Sequence, residues 1–334
     1  MDSRFLAALV GLSVAASVPA GAQAPSAVGR PAAAPGWTPP RTADGHPDLQ
    51  GVWSYATLTP LERPAEFAGT DRLTEQQALE YEQRLLRDNN RDRRDGTPEA
   101  DVTRAYNDFW WDRGTNIVGT RRTSLIVDPP DGRLPALTPE AQKRADARAE
   151  ARRLNRADGP EDRPLAERCI LLGSGGAPML PTAYNNNAQI FQSRDHVAIV
   201  NEMIHDVRII PIGERPPLPG NVRQWLGDSR GRWEGDTLVV ETTNFSDRTT
   251  LRGSGDELRL VERFTRVAED TLLYQFTVDD PASFTRPWTV ELPLWKNPLL
   301  VYEYACHEGN TGMAGVLSGA RTEEAEAAAR PNSK

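Results

Sequence analysis

The chain has 334 residues and a formal net charge of −8, with 47 Asp and Glu against 39 Lys and Arg. That balance excludes a nucleic-acid partner of the usual kind, which requires a basic face. The length allows one large domain or two small ones, and all-β folds of this size often form one.

The first residues read as a cleavable signal peptide over 1–24. Arg4 supplies the positive start, 5–17 form an uncharged apolar run, and Ala20, Ala22 and Ala24 offer small-x-small cleavage sites. The apolar run is too short to span a bilayer comfortably, and small residues rather than a basic stop follow it. The mature chain is therefore expected to be soluble, periplasmic or secreted, with no membrane span. Residues 25–47, rich in Pro, Ala and Gly, read as a flexible lead-in.

A single domain is expected over 48–321. Gly51-Val52-Trp53 opens the first strand. Residues 73–94 read as a helix, with Thr74 and Gln77 at capping-box spacing. A strand is expected over 123–128, closed by the turn Pro129-Pro130-Asp131-Gly132. Thr138-Pro139-Glu140 opens a second helix running to about residue 155. Both helices are mostly polar, which places them at the periphery. From Gln189 onward, strand patterns lie near 188–193, 196–212, 237–245, 258–267, 271–278, 286–295 and 300–306. Leu272, Tyr274, Phe276 and Val278 alternate with polar neighbours, and so do Trp288, Val290, Leu292 and Leu294. The fold class expected is mainly β: an antiparallel meander closing into a barrel, which removes exposed edges. Residues 322–334 read as a disordered tail.

Residues 196–212 contain no Gly, and Pro only at 211, so they read as one long or bulged strand. Alternation then puts Val197, Ile199, Asn201, Met203, His205, Val207 and Ile209 on one face. A polar group in such a lining must be paired or used, because an unpaired one costs several kcal/mol. His205 is thus either structurally satisfied or a proton-transfer group, with Glu202, Asp206 or Glu308 to orient it and His307 as a second acid/base candidate. Glu202 and His205 point to opposite faces of a strand, which argues against joint metal chelation; no metal site is assigned, and a metal ion is not excluded. The run Tyr184, Asn185, Asn186, Asn187 suits a turn or a pocket rim. Asn201, Arg208, Trp225, Arg230, Trp233 and Tyr302 complete the candidate substrate contacts. Gly227-Asp228-Ser229-Arg230-Gly231 matches a nucleophile-elbow pattern but is followed by a β-type run, so the match is read as accidental. Cys169 and Cys306, alone in an exported chain, are expected to form a disulfide.

Gly51-Val52-Trp53 and the meander resemble the opening strand and barrel of lipocalins, which implies a calycin-type fold and no particular function. Residues 128–135, the 184–187 run, 202–211, 225–245 and 302–321 resemble a large family of exported bacterial proteins; this implies export and a shared architecture, and gives no reaction. Two functions follow as expectations. One is an exported lyase, isomerase or hydrolase that works by acid/base chemistry on a small, partly apolar molecule, with no organic cofactor. The other is a non-catalytic carrier of a hydrophobic ligand. An envelope scaffold ranks behind both, because the polar helices offer no apolar docking patch.

Overall fold

Strict apolar alternation decides the sheet. In the computed structural model, which describes residues 36–94, 96–99, 107–154, 156–172, 176–248 and 251–329, nine strands follow one another round a nearly closed barrel. In chain order they are β1 (Gly51–Ser54), β3 (Asn187–Gln192), β4 (His196–Asn201), β5 (Val207–Pro211), β6 (Asp228–Glu234), β7 (Thr237–Thr243), β8 (Arg259–Arg266), β9 (Thr271–Asp279) and β10 (Trp288–Lys296). Short β2 (Ile126–Asp128) pairs with β10 off this path. The order is β5-β4-β3-β1-β10-β9-β8-β7-β6, every neighbouring pair antiparallel. With an odd number of alternating strands, the two end strands must run the same way. They do: Ile212, just past β5, bridges Gly231 of β6 in parallel, and the Gly213 N–H donates to the Gly231 carbonyl at 3.0 Å. Gly231 eases that approach, since a Cβ would press on the Ile212 and Ile210 side chains and make them shift.

The barrel interior holds the core. Trp53, Tyr55, Phe264, Tyr274, Phe276, Trp288, Val290 and Leu292 are each at most 1% exposed. At one end the Trp53 indole donates to the Leu49 carbonyl (2.8 Å), and the Arg266 guanidinium lies 5.7 Å from the Trp53 ring centre while donating to the carbonyls of Asp48 and Glu269. The same end receives the lead-in. His46 stacks on Trp233 (4.8 Å, 6° between planes), and Arg41 pairs with Asp236 at 2.7 Å. Residues 36–47 are thus tied to the barrel, which corrects the expectation of a loose lead-in over all of 25–47. The expected signal peptide lies outside the described residues.

The peripheral helices form largely as read. α1 (Glu75–Asn89) carries the full capping box at Thr74 and Gln77 and buries Ala78 and Tyr81 against Leu58, Leu73 and Ile117. α2 (Pro139–Leu154) buries only Ala141. Besides the lead-in and 196–212, three segments differ from expectation. Residues 228–234, absent from the expected strands, form β6. Residues 300–306 form no strand, and Leu299, Leu300 and Tyr302 stand exposed. A third helix, α3 (Thr311–Ala329), occupies the start of the supposed disordered tail. The expected disulfide joins Cys169 to Cys306, with Cα atoms 5.7 Å apart. No helix among the described residues is long and apolar enough to cross a membrane.

Candidate functional site

The stretch read as one strand, 196–212, is a hairpin. The chain turns at 202–206, where the Asn201 N–H donates to the Asp206 carbonyl (2.8 Å) and Ile204 and His205 take φ of 56° and 47°. A β-branched residue rarely adopts positive φ. The turn reverses the inside-outside alternation. Val197, Ile199, Asn201 and Met203 are buried as expected, but beyond the turn Arg208 and Ile210 enter the barrel, while Val207 and Ile209 lie outside, 50% and 59% exposed. His205 is on the surface, its Nδ1 donating to the Tyr304 carbonyl at 2.9 Å. It does not line the barrel, which corrects the placement from alternation.

The hairpin also shapes a cleft. Among the described residues, one bridge, between Ile212 and Gly231, joins the β5 and β6 segments. Towards their other ends, 206–209 and 227–229 leave an opening of about 730 Å³, with Ile170, Trp225 and Leu226 among its walls. The charged side chains on it are Asp206, Arg208, Arg223 and Asp228. Arg208 reaches inward to a bidentate pair with Glu262 of β8 (2.6 and 3.0 Å), both buried. The Tyr274 hydroxyl donates to Glu262 (2.7 Å) and accepts from the Met179 N–H (3.1 Å). Burial opposes the Arg208 charge, but the Glu262 carboxylate outweighs it and holds the guanidinium protonated; burial, with Glu262 adding to it, pushes the Tyr274 phenol well up. Asp228 accepts from the Leu218 N–H (2.8 Å) and pairs with Arg230. Ser229 and Thr242 share a buried hydroxyl bond of 2.9 Å.

Asp206 is different. Among the described residues its carboxyl has no hydrogen-bond or ion-pair partner, and burial pushes it up to about 6 against the opposing pull of His205. A carboxyl so perturbed inside a cleft is a functional-site candidate on physical grounds.

Of the residues singled out from sequence, Asp206, Arg208 and Trp225 line the cleft, and Arg230 adjoins it through Asp228. Others gather at one end of the barrel. Asn186 is fully buried and structural: its amide bonds the Thr182 backbone and the Asp112 carbonyl. Asn187 donates to Glu202 (2.7 Å) and accepts from Asn297 (2.9 Å). Asn185 turns the chain at φ 55°, and Tyr184 faces Trp111 edge-on. Asn201 is buried, and among the described residues neither of its amide atoms has a partner. Trp233 stacks at the lead-in end, and Tyr302, His307 and Glu308 are exposed beside Cys306. Among the described residues, no three His, Cys, Asp or Glu side chains group to hold a metal ion. Glu262 escaped the sequence reading, although a Glu between Leu260 and Phe264 on a core face was its signal; Tyr274 was read as a core position only.

No protein-family model, curated protein or solved structure matches the chain.

Asp206 yields a stability test. Its folded-state affinity for a proton exceeds that of an ordinary carboxyl, so its contribution is full below about pH 4 and lost as pH rises through about 6. Asp206→Asn should therefore be the more stable protein at pH 7.5, by about 1–2 kcal/mol once partial exposure is discounted. Paired urea melts should show that advantage shrinking towards pH 4.5; a constant difference would contradict the assignment.

Proposed function

We propose that this chain is an exported enzyme of the lyase, isomerase or hydrolase kind, acting by general acid/base chemistry on a small, partly apolar molecule in the seam cleft. The observation that carries the reading is the unpartnered Asp206 carboxyl, held near 6 in a cleft that also presents Trp225, Val207 and Ile209. A group poised there has both protonation states available near neutrality, as proton transfer requires. The cleft volume lies in the range of small-molecule sites. Arg208, locked to Glu262, is a positioning residue that sets β5 and hence the Asp206 turn. Export agrees with the N-terminal signal pattern and with the disulfide.

A carrier of the lipocalin kind would hold its ligand inside the barrel. Here the interior positions are filled by Trp53, Tyr274, Phe276 and Trp288, which leave no accessible lumen beside them. That favours the enzyme reading over the carrier.

The test is turnover by the purified mature protein on a library of small apolar metabolites. Asp206→Asn is expected to lower kcat by about 10²–10⁴-fold, and the wild-type profile should inflect near pH 6. His205→Ala and His307→Ala should change kcat far less. Full turnover by Asp206→Asn would sink the proposal.

A further inference from the structure

The cleft's charges point to a substrate class, an inference that rests on the seam cleft being the site proposed above. We infer that it takes an organic cation: an ammonium group on an apolar, preferably aromatic, body. Four charged side chains reach the cleft, and among the described residues three are already matched. Arg208 is bound to Glu262, Asp228 to Arg230, and Arg223 to Asp256 at 3.4 Å with Glu257 beyond it at 4.0 Å. Asp206 has no such partner. When ionised it leaves the cleft one negative charge in excess, partly shielded from water. An anionic ligand would meet that charge with no free cation to offset it. A neutral ligand would leave the carboxylate desolvated and unpaired. An ammonium group satisfies it, and desolvation strengthens the attraction.

The walls add the second half of the argument. Trp225 lines the cleft and is 36% exposed, and an indole there can attract a cation. Val207 and Ile209, the exposed apolar residues that the 202–206 turn places outside the barrel, offer an adjoining surface for hydrocarbon. His205, in the same turn, is the charged group that bears on Asp206; the others around the cleft are Arg208 with Glu262, Arg223 on the 218–227 loop, and Asp228 with Arg230 on β6. Apart from His205, all are paired.

The experiment measures binding by calorimetry with three probes of one shape: phenethylamine, 3-phenylpropionate and 2-phenylethanol. At pH 7.5 the amine should bind about tenfold or more tighter than either of the others, the scale expected for a desolvated ion pair. Lowering the pH to 5 should weaken it about tenfold, since Asp206 then carries its proton most of the time. Asp206→Asn, confirmed folded by its melting curve, should lose the amine preference, and Trp225→Leu should weaken all three probes and the amine most. Equal or tighter binding of the carboxylate, an unchanged preference in Asp206→Asn, or no binding of any probe at millimolar concentration would overturn the inference. The two readings fail separately. Asp206-dependent turnover of an anionic or neutral substrate would remove the cation inference and keep the catalysis. Asp206-dependent amine binding with no turnover would do the reverse.

Discussion

Replacing Glu262 with Leu should cost the fold about 3–5 kcal/mol, the largest single-residue penalty expected at the site, because it leaves the Arg208 charge in the core without its partner. Glu262 is fully buried, and its Arg208 pair spans from β5 to β8. The reciprocal change, Arg208→Met, should cost less. A carboxyl left alone can take up a proton and keep its bond to Tyr274, whereas a guanidinium cannot discharge. The double variant Arg208→Met, Glu262→Leu should recover most of the Glu262→Leu loss, since apolar groups can replace a buried ion pair at little net cost. Urea melts of the four proteins form the cycle, and lowering the pH should help Arg208→Met more than the other three, all of which share the Asp206 contribution. If Glu262→Leu costs under about 1 kcal/mol, the pair is not as desolvated as its burial implies. The cycle also bears on the cleft. Arg208 is two residues from Asp206, so loss of the pair should loosen the seam and weaken probe binding even where the barrel survives.

How far the sequence revealed this architecture depended on whether each segment's pattern was periodic. β9 and β10 were legible because Leu272, Tyr274, Phe276 and Val278, and Trp288, Val290, Leu292 and Leu294, keep period two without interruption. β6 was not. Its inward positions are Ser229, Gly231 and Trp233, of which only Trp233 is strongly apolar, and Gly231 eases the approach of Ile212 at the closing seam. The β4–β5 turn was hidden for a different reason. Chains usually reverse at Gly or Asn, which accept positive φ readily, and here Ile204 and His205 carry it. Misreading that turn reversed the faces beyond it, so that Arg208 was placed outside and His205 inside. Asp206 entered the candidate list only as a partner for His205, yet of the acid/base candidates it is the one on the cleft. Strain at Ile204 is enforced by the strands on either side and fixes the direction of the residue two places on. Positive-φ outliers cluster at functional sites for this reason.

Loss of the Cys169–Cys306 disulfide should be the second large perturbation. The bond closes a loop of 137 residues that contains β3 through β10, so it restricts the unfolded chain over almost the whole barrel. The chain-entropy argument alone would put its contribution near 5 kcal/mol. The folded state lowers that figure. Past Cys306 the chain continues into α3, which buries none of its residues and is tied back by the Asn310 amide on the Glu167 carbonyl (2.8 Å) and by Arg321 on the Ala157 carbonyl (2.9 Å). Without the bond this segment should detach while the barrel stays folded, and the freedom it regains offsets part of the loss. Cys169→Ser with Cys306→Ser should therefore cost about 2–4 kcal/mol in a urea melt, the common range for native disulfides. Limited proteolysis separates the two effects. Cleavage should move to the exposed 299–310 stretch and release α3 well before the barrel is cut. Wild-type resistance to protease together with an unchanged melting midpoint would show that the disulfide is not what holds the C-terminal segment to the barrel.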